Sequence, residues 1–306
     1  MKPKIIFMGT PKFAVPTLKA INEEFGITAV VTAADKPSGR GQKPKQSEVK
    51  TAALELGLQV LQPDSLKSDE FVRQISEIEP DIIIVVAFRI LPASVYTLAK
   101  LGAFNIHASL LPKFRGAAPI NWAIINGERQ SGLTTFLLNE KVDTGSVLIQ
   151  MPVDISEDAT AGDLHDILME LSPKAAIETC NMLLSGNFIP IKQNDSEATP
   201  APKIFPEMCA IDWSKTATDV KNFIHGMSPY PGAWTTLESK RLKILKCRTS
   251  SADLPQGNCL FENGKMLIGC RNGSIELIEV QYEGRKSMTA ADFINGWRGS
   301  NHLKLA

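Results

Sequence analysis

Strand-like apolar runs alternate with helical patterns through the first two-thirds of this 306-residue chain. That alternation confines the segment to an α/β, Rossmann-like fold, a mostly parallel sheet covered by helices. The runs occupy residues 4–8, 28–32, 59–62, 81–88 and 103–107, and between them residues 13–24, 47–56, 68–77 and 92–99 each present an apolar face at helical spacing. Two more strands are expected at 132–138 and 147–153. A long helix then opens at Thr160, where Thr160 and Asp163 have capping-box spacing, Leu164, Ile167, Leu168 and Leu171 form one stripe, and Gly186 suits the stop. Pro173 predicts a kink or break in its middle. In a sheet of this kind the ligand site lies at the carboxyl ends of the strands, and Gly9, Phe88 and His107 all fall at expected strand ends.

Beyond residue 189 the pattern changes. Residues 190–206 are rich in Pro, Lys, Asn, Asp, Ser and Thr and read as a linker, separating a domain at 1–189 from another at 207–306. In the second, Asn263-Gly264 and Asn272-Gly273 each sit between strand-like runs, which is a strong hairpin signal. Residues 217–226 and 289–297 read as short helices, the latter with Thr289 and Asp292 at capping-box spacing. A small antiparallel β-barrel is the expected outcome.

Composition removes several classes. The longest uninterrupted apolar run, residues 82–88, is far short of a membrane span, and no signal-type apolar core follows residues 1–4, so a cytoplasmic protein with no membrane role is expected. The five cysteines are odd in number and lack a Cys-x-x-Cys, which indicates neither a disulfide framework nor a zinc site. After Gly9-Thr-Pro there is no Gly-x-Gly-x-x-Gly or Gly-Lys-Ser/Thr, so dinucleotide and P-loop readings lack support. The zero formal charge conceals an asymmetry: from Ala201 onward there are 14 Lys and Arg against 10 Asp and Glu, and before it 19 against 23. A basic last third leaves nucleic-acid contact open beside the plainer reading of a solvated face.

The densest chemistry lies between Gly102 and Gly127, GAFNIHASLLPKFRGAAPINWAIING. Asn105 and His107 are two apart on an expected strand, so an amide donor and an imidazole project together. A carbonyl oxygen that becomes negative during acyl transfer needs such a donor, and an attacking amine must pass its proton to a group like the imidazole. Asp143 sits in a polar loop between two expected strands and reads first as a turn former, and second as a carboxylate that steadies a charged imidazole. Residues 35–50 carry Lys36, Arg40, Lys43, Lys45 and Lys50 against Asp35 and Glu48, with Gly39 and Gly41 flanking Arg40. This is a solvated loop, or a basic adaptable loop that grips an RNA end.

Phe-Asn-Ile-His, Ser-Leu-Leu-Pro and Arg-Gly-Ala-Ala-Pro-Ile together resemble the signature of the 10-formyltetrahydrofolate-dependent formyltransferases, and among them the methionyl-tRNA formyltransferases. The likeness extends over nearly the whole chain, through Gly9-Thr-Pro-Lys-Phe13, Asp35-Lys-Pro-Ser-Gly-Arg-Gly41, Val142-Asp-Thr-Gly145, Ile211-Asp-Trp-Ser214 and Pro229-Tyr-Pro-Gly-Ala-Trp234. The resemblance implies that Asn105, His107 and Asp143 form the catalytic group. It implies folate binding by Phe88, Arg89, Ile90 and Leu91 and by Ser109, Leu110, Leu111 and Pro112. It also implies tRNA contact through Arg40, with Lys36, Lys43 and Lys45, and a tRNA-binding, OB-like C-terminal barrel. The implied co-substrate is 10-formyltetrahydrofolate with no metal, and the implied partner is initiator methionyl-tRNA, bound by a monomer. Formyltransferases of amino sugar nucleotides or of glycinamide ribonucleotide share the Asn-x-His and distant Asp and remain the alternatives; the latter end after one such domain.

Overall fold

The computed structural model describes residues 2–38 and 43–305. Packing gathers the chain into two units, the first made of Met1–Gly116, Gly132–Val153 and His165–Pro200, the second of Ala117–Ser131, Asp154–Leu164 and Ala201–Ala306. Among the described residues no helix is long and apolar enough to cross a membrane.

In chain order the elements begin with β1 (Ile5–Gly9), a 3₁₀ turn at Lys12–Ala14 leading into α1 (Val15–Glu24), β2 (Ala29–Val31), β3 (Lys36–Ser38), β4 (Lys43–Lys45) and α2 (Glu48–Glu55). Next come β5 (Val60–Leu61), α3 (Asp69–Ile78), β6 (Ile82–Val86), α4 (Ala93–Tyr96), β7 (Gly102–His107) and β8 (Arg115–Gly116). They are followed by α5 (Pro119–Ile125), β9 (Gln130–Leu137), β10 (Val147–Asp154) and α6 (Ala161–Ser185). The main sheet runs β10-β9-β7-β6-β1-β2-β5. Strands β5, β2, β1, β6 and β7 are parallel, and β9 joins β7 antiparallel. The expected mostly parallel sheet is therefore present. Its middle strands, IIFMG and IIIVV, are buried at every residue, as strands covered on both faces must be.

The break expected at Pro173 is absent, because α6 continues through it for 25 residues. Proline deletes one N–H donor, whereas buried side chains on either side tie the helix down. Ser172 Oγ lies 2.6 Å from Thr17 Oγ1, and Thr179 Oγ1 donates to Thr135 Oγ1 at 2.8 Å. Tertiary anchoring thus outweighs the local penalty. The capping box at the start of α6 forms as expected, with Thr160 N donating to Asp163 Oδ2 and Asp163 N to Thr160 Oγ1.

The stretch from 190 to 206 carries structure of its own. Ile191 exchanges two backbone hydrogen bonds with Val147, 3₁₀ turns form at Asp195–Glu197 and Pro206–Cys209, and β11 is Pro200–Ala201. The rest of the chain supplies α7 (Ala217–Gly226), β12 (Ala233–Leu237), β13 (Lys240–Ser250), β14 (Asn258–Glu262), β15 (Lys265–Gly269), β16 (Ser274–Tyr282), β17 (Met288–Thr289), α8 (Ala290–Asn295) and β18 (His302–Lys304). Its strands order as β12-β13-β16-β15-β14-β18, with β17 on β16, every pairing antiparallel, in the form of a half-barrel. Asn263 and Gly264 have φ of 51° and 72°, the two left-handed residues that a tight hairpin needs. Leu242, Ile244, Met266, Ile268, Ile275 and Val280 meet Ile224 of α7 and Phe293 of α8 in the core.

Candidate active site

Backbone register sets the site's position. Gly9 pairs with Val86 and Val86 with Ile106, so the segments that leave β1, β6 and β7 emerge side by side. Asn105 and His107 share one face of β7. Asn105 is half-buried, and among the described residues its amide makes no side-chain hydrogen bond. His107 is 6% exposed, with Nε2 2.8 Å from the Phe114 carbonyl oxygen. A carbonyl can only accept, so Nε2 carries a proton and Nδ1 is the atom turned to other chemistry.

That Nδ1 faces Asp143 Oδ2 at 3.8 Å. The pair is close enough to interact and too long for a hydrogen bond, a looseness common before substrate closes a site. The same Oδ2 accepts the Gly116 N–H at 2.8 Å. Asp143 has φ of 54°, and Phe114, whose carbonyl orients His107, has φ of 61°. Two residues after the aspartate, Gly145 passes so close to Leu137 that any Cβ would overlap its carbonyl oxygen. The glycine of the Asp-x-Gly pattern is therefore a steric requirement of the return from β9 to β10.

Residues 88–91 leave the end of β6, after Ala87 at φ 48°. Leu91 is buried, Ile90 is 73% exposed, and the Arg89 guanidinium donates to the carbonyls of Pro63 and Asp64 while lying over the Phe88 ring. Residues 109–112 follow β7. Ser109 donates to the Lys113 carbonyl, and Thr134 Oγ1 both accepts from Leu111 N and donates to the Ser109 carbonyl. Leu110 and Pro112 remain half-buried, available as apolar walls. The two expected folate segments thus border adjacent strand ends.

Of the expected tRNA loop, Arg40 lies outside the described residues. Lys36 and Lys43 belong to β3 and β4, which pair as a short antiparallel ribbon, and Lys45 forms an ion pair with Glu48 at 3.3 Å. Lys50 and Gln62 both bind Asp35 at the loop's base, at 2.7 and 2.9 Å, and hold its carboxyl below the usual range.

The cysteines offer no activated nucleophile. All five cysteines are buried, and burial pushes the thiols of Cys180 and Cys259 up to about 12 and that of Cys270 up to about 11. None is an activated thiolate. Among the described residues no three His, Cys, Asp or Glu side chains converge as a metal site.

Sequence reasoning passed over Gln193 and Thr199. Gln193 Nε2 donates to the carbonyls of Asp143 and Gly145, its Oε1 accepts from Arg115, and Thr199 Oγ1 accepts from Phe114 N. Nothing in their local pattern signals contact with residues so distant along the chain.

Comparison with known proteins gives a consistent picture. Residues 3–180 match the family model Formyl transferase, and residues 203–298 match Formyl transferase, C-terminal domain. The methionyl-tRNA formyltransferase of Caldanaerobacter subterraneus subsp. tengcongensis is 44% identical over 298 residues, covering 96% of both chains. That of Flavobacterium johnsoniae is 42% identical over 313 residues, covering 99% of both. Among solved structures, an N-formyltransferase from Helicobacter canadensis, in complex with folinic acid and dTDP-3-aminofucose, superposes with a TM-score of 0.69 at 19% identity, covering 92% of this chain and 99% of its own. HypX from Aquifex aeolicus, in complex with tetrahydrofolic acid, gives 0.64 at 18% identity, covering 99% of this chain and 50% of its own. At such identities these two structures speak to fold alone.

Proposed function

The chain belongs to the methionyl-tRNA formyltransferase family, and on that premise we propose that Asn105, His107 and Asp143 carry its chemistry. The enzyme transfers a formyl group from 10-formyltetrahydrofolate to the amino group of methionyl initiator tRNA. The folate supplies an activated formyl carbonyl, and the acceptor amine attacks its carbon. Charge then develops on the formyl oxygen. The observation that carries the assignment is the Asn105 amide, which has no side-chain partner among the described residues and shares a strand face with a His107 whose Nδ1 meets a carboxylate. Asn105 donates to the developing oxyanion, and a preorganised donor of this kind contributes roughly 3 to 4 kcal/mol in the transition state. His107, steadied by Asp143, stabilises that charge or shuttles the proton released by the amine.

Residues 88–91 and 109–112 hold the folate in this reading. Their apolar side chains suit its rings, and the irregular backbone at the strand ends supplies donors and acceptors for the pterin edge. Arg40, with Lys36, Lys43 and Lys45, engages the acceptor end of the tRNA. The C-terminal half-barrel adds general tRNA affinity, supported by its basic excess and by exposed Lys240, Arg241 and Lys246 on β13. We place the enzyme in the cytoplasm as a monomer, a setting that suits five free cysteines.

One assay tests the acceptor. Labelled 10-formyltetrahydrofolate is offered with methionyl-tRNA, glycinamide ribonucleotide or an amino sugar nucleotide. Formylation of methionyl-tRNA alone is expected, and transfer to either small acceptor in its place would overturn the reading.

A further inference from the structure

We propose that the stretch from Gln193 to Thr199 is a clamp on the catalytic pair, in which Gln193 positions Asp143 and Thr199 positions His107. The proposal rests on the catalytic reading above and extends it to residues whose composition suggests only a linker.

Gln193 is 8% exposed, and its amide is fully engaged. Nε2 donates to the Asp143 carbonyl at 3.0 Å and to the Gly145 carbonyl at 2.8 Å. Oε1 accepts from Arg115 Nε at 3.0 Å and from Nη2 at 2.7 Å, and the same Nη2 reaches Asp195 at 2.8 Å. One planar group thus grips the backbone on either side of Thr144 and braces itself on a guanidinium. Only an amide offers paired donors and an acceptor in that arrangement, since a carboxylate would turn a charged oxygen on two carbonyls. The grip falls where the chain needs it, because Asp143 is held at φ 54°, a conformation rare for residues other than glycine.

The histidine is held in the same way. Thr199 Oγ1 accepts the Phe114 N–H at 2.8 Å, and the Thr199 carbonyl accepts the Arg115 N–H at 2.9 Å. These two N–H groups flank the carbonyl to which His107 donates, on a residue at φ 61°. Of the 3.8 Å contact between His107 and Asp143, the aspartate is itself left-handed and the histidine is held by left-handed Phe114, and a single short stretch secures both of these residues. Neither Gln193 nor Thr199 touches the reacting atoms in this account, so both are positioning residues.

The test is a double-mutant cycle on the full-length enzyme, reading kcat and both KM values for formylation of methionyl-tRNA. Gln193→Ala should lower kcat on the order of 10²-fold with little change in either KM, the size of a small misplacement of reacting groups. In an Asp143→Ala background the same change should cost nothing further, because residues that act as one unit are not additive. Thr199→Val should lower kcat as well, and Thr199→Ser, which keeps the hydroxyl, should restore it. Equal losses from Gln193→Ala with and without the Asp143 carboxylate would overturn the clamp, as would a wild-type kcat in Thr199→Val. Should Gln193→Ala melt below the assay temperature, Gln193→Met keeps the length without the hydrogen bonds, and a wild-type kcat there is equally fatal. Wild-type kcat in Asp143→Ala alone would instead remove the catalytic reading, a failure visible in that arm.

Discussion

At residue scale, the Asn105 amide is the clearest case of a group that folding does not use. Asn105→Ala should lower kcat by roughly 10²- to 10³-fold, the cost of deleting one oxyanion donor, while the thermal melt stays near that of the wild type. An unchanged kcat would return Asn105 to the role of a strand residue. Gly145 presents the opposite balance. In Gly145→Ala the new methyl would overlap the Leu137 carbonyl oxygen, and since backbone cannot yield as a side chain does, a loss of about 1–3 kcal/mol or more is expected in chemical denaturation. Asn105, His107 and Asp143, the proposed catalytic group, could be picked out in sequence because formyl transfer calls for such side-chain types and because motifs spread over nearly the whole chain resemble one family. Gln193 and Thr199 were not. Their partners lie 50 and 85 residues away, and a polar residue in a proline-rich stretch carries no local mark of such a contact.

At the scale of elements, local rules succeeded where the governing forces are local. The capping box at Thr160, the Thr289 side-chain cap on Asp292 and the Asn263-Gly264 hairpin all formed, since each is closed by residues within a few positions of one another. Pro173 failed as a break because long-range packing decided it. The packing of α7 on β13 was equally hidden, and it contains a buried histidine. His225 is 1% exposed, and its Nε2 lies 3.0 Å from the Cys247 carbonyl oxygen. Burial holds this imidazole below the ordinary histidine value of 6.5, against a smaller raising effect from the Cys247 backbone. The folded state thus keeps it neutral while the unfolded chain protonates more readily. Its contribution to stability is whole above about pH 6.5 and is lost as pH falls toward the depressed folded value. The urea midpoint should fall on acidification through that window, and His225→Gln should flatten the fall. Asp35, Asp158 and Asp163 are also held below their ordinary value, but that value is 3.8, so their losses come only at lower pH. An identical pH profile in His225→Gln would refute the assignment.

At the scale of the whole molecule, periodicity and composition read the chain as consecutive stretches, whereas packing groups residues 117–131 and 154–164 with residues 201–306. Pattern along a sequence cannot report which distant segments share a core, and this is why the excursions were invisible. The charge asymmetry does survive the translation into structure. On β13 the side chains alternate, with Leu242 and Ile244 in the core and Arg241 on the other face, where it lies 4.3 Å over the Trp234 ring, while exposed Lys240 at the start of the strand lies 5.8 Å from the ring of Tyr282. Two exposed cations seated on aromatic rings, with exposed Lys246 further along the same strand, suit contact with a phosphate backbone. If β13 supplies general tRNA affinity, each phosphate contact releases counterions and adds about 0.7 to 0.9 to the slope of log affinity against log salt. Replacing Lys240, Arg241 and Lys246 together by alanine should therefore weaken tRNA binding at low salt and flatten that slope by about 2. Folate affinity should be untouched, because the expected folate segments belong to the first unit. A triple variant with the wild-type slope would show that β13 does not meet the tRNA backbone, and the basic excess of the C-terminal unit would then be an ordinary solvated surface.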